Sequence, residues 1–173
     1  MRAFPALLIL LAAGSCAPAP KPAPPPPRPA PIPTPTPTPA PLSADWRDWP
    51  VTPGDWVYRQ DARGSIALFG QRGLDADLSL RCDRTTRQVY LSRKGAATTA
   101  PFVVRTSSLM RSLPASPVGE SAAYLATALS PSDPLLDAMG YSRGHFVLQQ
   151  EGRPTLVVPA WAEILRVTED CRG

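Results

Sequence analysis

From about residue 43 onward the chain alternates apolar and polar positions with a period of two, the spacing of strands that bury one face. Trp56-Val57-Tyr58 reads as a short strand after the turn Pro53-Gly54-Asp55, and Ser65-Ile66-Ala67-Leu68-Phe69 as a second, ended by Gly70. The alternation is cleanest from Asp77 to Cys82, where Leu78, Leu80 and Cys82 share one face. Gln88-Val89-Tyr90-Leu91-Ser92 follows after Asp83-Arg84-Thr85-Thr86-Arg87, a hairpin loop in composition. Phe102 to Thr106 is a further strand candidate. For Tyr124 to Leu129 the alanine content favours helix, whereas length and position favour strand; we read it as strand.

Two segments carry helix grammar instead. Ser132 or Asp133 can cap, Pro134 can occupy the first helical position, Leu135-Leu136-Asp137-Ala138-Met139 follows, and Gly140 is placed to end the helix in the left-handed cap. After Pro159, residues Trp161, Ile164, Leu165 and Thr168 fall on one helical stripe that Cys171 continues. Between the helices, His145 to Gln150 and Thr155 to Val158 form a hairpin about Glu151-Gly152-Arg153-Pro154. Many short strands with two short helices in the C-terminal third predict a β-rich (α+β) fold: a small antiparallel β-sandwich or roll, a single domain over residues 43–173.

Composition separates that domain from what precedes it. Of 24 prolines, 14 lie between Pro18 and Pro41, in a stretch with almost no apolar side chain larger than Ala or Pro. Such a segment builds no core and is expected to be a disordered, polyproline II linker. At ~3.1 Å per residue the 26 residues 17–42, the linker of a segment that runs over 16–42 with Cys16, reach ~80 Å at most, a semi-rigid spacer. The formal net charge of +4 is concentrated there and in the leader: Arg2, Lys21 and Arg28 precede residue 43, and all 14 acidic residues follow residue 44. The domain is therefore near neutral, which argues against a nucleic-acid partner.

The first 15 residues read as a signal peptide: Arg2, an eight-residue apolar run from Ala6 to Ala13, then the small residues Gly14 and Ser15. The run is far short of the ~20 residues that span a bilayer. Ala13-Gly14-Ser15-Cys16 resembles the lipobox of bacterial lipoproteins, with Ala13 where Leu is usual. The resemblance implies acylation of Cys16 and a membrane anchor. Ala17 after it, in place of an inner-membrane-retaining Asp, points to the outer membrane, with the domain facing the periplasm. Once Cys16 is assigned to lipid, Cys82 and Cys171 remain as an even pair, and an oxidising compartment predicts a disulfide between them. The tail from Asp133 to Arg172 resembles the end of periplasmic β-sandwich proteins related to invasion-associated locus B. The likeness rests on Leu135-Leu136-Asp137-Ala138, Phe146-Val147-Leu148 and the final helix with Cys171. It implies a sandwich fold and carries no catalytic residues.

Candidate chemistry is sparse. Gly140-Tyr141-Ser142-Arg143-Gly144 fits G-x-S-x-G, with the only histidine, His145, three residues beyond the serine. A nucleophile elbow needs a strand before and a helix after the serine, the reverse of what the pattern predicts here. A serine hydrolase using Ser142 and His145 is thus the alternative, and a non-enzymatic binding or structural module of the envelope the main expectation. Trp46, Trp49 and Trp56 form either a glycan-stacking platform facing peptidoglycan or a core wall, and core is the preferred reading. Arg81, Arg84, Arg87, Arg93 and Lys94 cluster on one predicted hairpin, either as an anionic-lipid contact or, preferably, as a solvated edge. No His/Cys cluster or glycine-rich phosphate loop is present, so no metal or cofactor is expected. The expected partners are the membrane, through Cys16, and an envelope protein or peptidoglycan.

Overall fold

The computed structural model describes residues 43–95, 100–118 and 123–173, which belong to one compact unit. The expected signal peptide, Cys16 and the Pro-rich linker lie outside the described residues. After a 3₁₀ turn at Trp46–Asp48, the elements in chain order are β1 (Asp55–Asp61), β2 (Gly64–Gly70), β3 (Leu78–Asp83), β4 (Gln88–Lys94), β5 (Phe102–Arg105), β6 (Met110–Leu113), β7 (Ser116–Val118), β8 (Tyr124–Leu129), α1 (Pro134–Gly140), β9 (His145–Gln149), β10 (Leu156–Pro159) and α2 (Ala162–Arg172). The fold is β-rich, with two antiparallel sheets: a larger one ordered β1-β2-β3-β4-β8-β7 and a smaller one ordered β10-β9-β5-β6.

Strand parity and register decide what the larger sheet buries. Three cross-strand rows line its core face: Trp56, Phe69, Leu78, Arg93 and Leu125; then Tyr58, Ala67, Leu80, Leu91 and Thr127; then Ser65, Cys82, Val89 and Leu129. The smaller sheet lies over the first row. There the Trp56 indole N–H donates to the Pro159 carbonyl at 2.9 Å, and Phe102, Val104, Phe146, Leu148 and Val158 join the same core. Helix α2 covers the rest. The disulfide Cys82–Cys171, with Cα atoms 5.3 Å apart, pins it to the third row. Tyr58 is held at the helix's other flank, donating its hydroxyl to Asp170 at 2.6 Å while the Arg166 guanidinium lies 3.9 Å from its ring centroid.

The edges are protected in different ways. β1 exposes Val57, Arg59, Gln60 and Asp61, and the opposite edge strand β7 carries Pro117, both of which discourage further pairing. β10 has its free edge occupied: the Thr52 amide donates to the Val157 carbonyl and the Val157 amide to Thr52 Oγ1, both at 2.9 Å. At the β1–β2 turn Gly64 has φ +143°, and a Cβ there would run into the Cys82 carbonyl, so only glycine lets β2 close on β3.

Helix α1 begins as expected, with the Asp133 carboxylate accepting the Leu135 amide at 2.9 Å and Pro134 opening the helix. Its end differs from expectation. Gly140 is the last helical residue, Tyr141 is the cap at φ −99°, and the left-handed residue is Gly144 at φ +80°. What Gly140 provides is space, since a Cβ on it would overlap the Leu165 side chain of α2. The α2 stripe is also rotated from the expected one. Ile164, Val167 and Thr168 are buried, Leu165 and Cys171 are half-buried, and Trp161 is 45% exposed. Trp161 caps the helix in extended backbone, φ −95° and ψ 167°, so its side chain does not follow the helical register. Strands β6 and β7, absent from the sequence reading, come from a Ser/Pro-rich stretch with little apolar alternation.

Two stability predictions follow from α2. In the chain-entropy picture, replacing Cys82 and Cys171 together by Ala, which opens a loop spanning 89 positions, lowers unfolding free energy in urea by about 4 kcal/mol. Gly140→Ala gains helix propensity but forces Leu165 aside, with a net loss of about 1 kcal/mol. Adding Leu165→Ala makes the pair less than additive, and strict additivity of the two losses would show that the residues do not meet.

Candidate functional site

Ser142 and His145 are close in space but not arranged for catalysis. The Ser142 hydroxyl donates to the His145 backbone carbonyl at 2.6 Å and accepts the Ser107 amide at 3.1 Å. The Ser107 hydroxyl in turn accepts the Arg143 amide at 3.2 Å, so two serines clasp the β5–β6 turn to the α1–β9 connection. The His145 ring faces elsewhere: its Nε2 donates to the Trp46 carbonyl at 3.2 Å, and its ring sits edge-on to the Trp46 indole at 5.4 Å between centroids. Both side chains are buried. A nucleophile must share its proton with the base nitrogen, and here the serine proton goes to a carbonyl and the imidazole to another. This geometry gives the hydrolase alternative no support: the helix-then-strand order around Ser142 turns the two side chains toward backbone carbonyls and not toward each other.

The tryptophans are likewise internal. Trp46 and Trp56 are 7% and 6% exposed, and Trp49 is half-buried. Trp46 packs with Val147 and Val157 on the outer face of the smaller sheet, with Trp49 against the same cluster and its indole N–H on the Ser43 carbonyl at 2.8 Å. Trp56 packs on Phe69 in the main core. Two of the three indoles are therefore covered, as the preferred core-wall reading expects.

The basic cluster divides into separate parts. Arg84 and Arg87 are exposed in the β3–β4 turn. Arg81 makes a two-pronged pair with Asp61, at 2.8 and 3.1 Å, and its hydrogen bonds hold the Asp61 carboxyl down to about 2. Lys94 pairs with Asp75 at 3.0 Å, which raises its own pKa. Arg93 is different, because it occupies the core parity of β4 behind Val89 and Leu91 and is only 3% exposed. Burial pulls its guanidinium down to about 10, the charge of Arg153 adding to the effect and Asp77 opposing it.

Arg93 lines a cleft of about 270 Å³ where the end of β4, the β9–β10 turn and the segment after the 3₁₀ turn converge. Thr52, Asp77, Lys94, Arg153 and Pro154 complete most of its wall. One Arg93 nitrogen, Nη2, donates to the Pro154 carbonyl, while Nη1 has no hydrogen-bond partner among the described residues. Arg153 lies against Gly95 and donates to the Lys94 carbonyl at 2.9 Å. The sequence reading grouped Arg93 with its hairpin neighbours and missed Arg153, Thr52 and Asp77. Its parity with Val89 and Leu91 was the available signal, since an arginine in phase with buried strand residues has to be accommodated inside.

No family model, curated protein or solved structure matches this chain. Among the described residues no group of three or more His, Cys, Asp or Glu side chains could hold a metal ion, and no helix is long and apolar enough to cross a membrane.

The serine clasp yields a direct test. Ser142→Ala leaves the His145 carbonyl and the Ser107 amide without their partner and is expected to lower unfolding free energy by about 1–3 kcal/mol. Its hydrolysis of activated esters should equal that of the unaltered protein; loss of such activity on substitution would restore the enzyme reading.

Proposed function

We propose that this protein is a lipid-anchored module of the bacterial cell envelope, acylated at Cys16 and held off the outer membrane on its Pro-rich spacer, with a domain in the periplasm that binds a partner rather than transforms a substrate. The observation that carries this reading is the Cys82–Cys171 disulfide. It uses both cysteines of the domain and belongs to an oxidising compartment. Cys16 is then the one cysteine left over, and it stands directly after an apolar run and two small residues, where a lipoprotein signal would place it. One acyl chain binds a membrane only reversibly, whereas the two or three that the lipobox resemblance implies hold it permanently.

The same reading gives the spacer a purpose. A chain rich in proline keeps φ near −65° and lacks amide donors, so it extends without folding and sets a distance between anchor and domain. The resemblance of the tail to invasion-associated locus B-like periplasmic proteins is in keeping with that compartment. Cell fractionation tests the anchor. Cys16→Ala should move the protein from the membrane to the soluble fraction and abolish incorporation of labelled palmitate; membrane association that persists in the variant would refute the proposal.

A further inference from the structure

Arg93 poses a problem of charge. It is cross-strand from Leu78 and Leu125 on the core face, 3% exposed, and its one hydrogen bond goes to a neutral carbonyl. Its Nη1 is buried without a partner, and no ion pair within 4.0 Å reaches it among the described residues. A buried cation is normally matched by an anion, because removing it from water is costly otherwise. Here the neighbouring group is a second guanidinium. Arg153, from the β9–β10 turn, is laid against Gly95, where a Cβ would come within 2.9 to 3.0 Å of its atoms. Of the nearby carboxylates, Asp75 is engaged by Lys94, and Asp77 alone is left against two arginines.

The cleft also offers a neutral donor. Thr52 Oγ1 accepts the Val157 amide, so its hydroxyl proton is free to point into the cleft it lines. Two guanidinium forks and a hydroxyl around about 270 Å³ form the donor set that recognises a planar or tetrahedral oxyanion. The low-dielectric wall behind Arg93 strengthens its field in the opening.

The geometry points to a binding site for a small ligand carrying an oxyanion, a carboxylate or phosphate group, between Arg93 and Arg153 at the mouth of the two sheets. This goes beyond the anchoring proposal and does not depend on it: the cleft belongs to the domain alone. The ligand neutralises Arg93 and ties the β9–β10 turn to the end of β4.

The test is an NMR titration of the ¹⁵N-labelled full-length protein in non-ionic detergent, following the arginine Nε–H signals and the Thr52 and Thr155 amides. The probes are inorganic phosphate and acetate, with sodium chloride at matched ionic strength as the reference. A saturable shift of the Arg93 and Arg153 signals with phosphate, acetate or both, absent with chloride, is the expected result, and which probe saturates first identifies the class of head group. Arg153→Gln changes an exposed side chain and keeps the Arg93–Pro154 contact; it should weaken the midpoint by about tenfold, the worth of one charge-assisted hydrogen bond. Shifts no larger than those with chloride, or a wild-type midpoint in Arg153→Gln, would overturn the site.

Discussion

The covalent tie between β3 and the last turn of the chain governs this fold. Cys82 lies in the third row of the larger sheet's core face, so the bond to Cys171 places α2 over that end of the sheet. The smaller sheet is left to cover the first row, where Trp56 meets Pro159. Neither cover alone spans the six-stranded face. Because α2 occupies one part and the smaller sheet the other, the two meet in one core, with Ile164 and Val167 of the helix beside Phe69, Phe146 and Leu148. Helix α1 then packs on α2 at Gly140, and the pair is fastened by Arg172 to Asp137 at 2.9 Å.

The same division creates the cleft. Arg93 sits in the first row, where the parity of β4 would place another Leu or Val, and the smaller sheet's turn passes above it. An apolar residue there would finish the core. An arginine instead holds the Pro154 carbonyl and keeps a desolvated charge at the opening. The segment from Trp46 to Thr52 serves two ends: Trp46 covers Val147 and Val157, and Thr52 closes the β10 edge while lining the cleft. Trp46 is buried by this packing, whereas Trp56, in β1, is buried against Phe69 in the main core.

Much of the fold was legible from strand parity. The alternation of Leu78, Leu80 and Cys82 names the buried face of β3, and Tyr124–Leu129 is the strand that its length suggested. The first helix was readable because Asp133 and Pro134 are local signals. What could not be read depends on contacts between distant segments. Gly140 looks like a cap from its neighbours alone, and only the approach of Leu165 shows why a side chain is excluded. Trp161 fits a helical stripe by spacing, yet the backbone turns helical one residue later. The cleft is assembled from four parts of the chain, so its residues shared no motif. The disulfide was reached by counting cysteines, a constraint that holds regardless of the path between them.

The disulfide leaves the domain without a free thiol, and the proposed anchor makes Cys16 the attachment point of that closed domain. Intact-mass spectrometry of the protein purified from membranes, alkylated before and after reduction, tests this most directly. The account predicts a chain that begins at Cys16 and carries acyl mass, with no alkylation before reduction and two alkylated cysteines after it. An unmodified Cys16 thiol in a chain that retains residues 1–15, or alkylation of Cys82 and Cys171 without reduction, would contradict it.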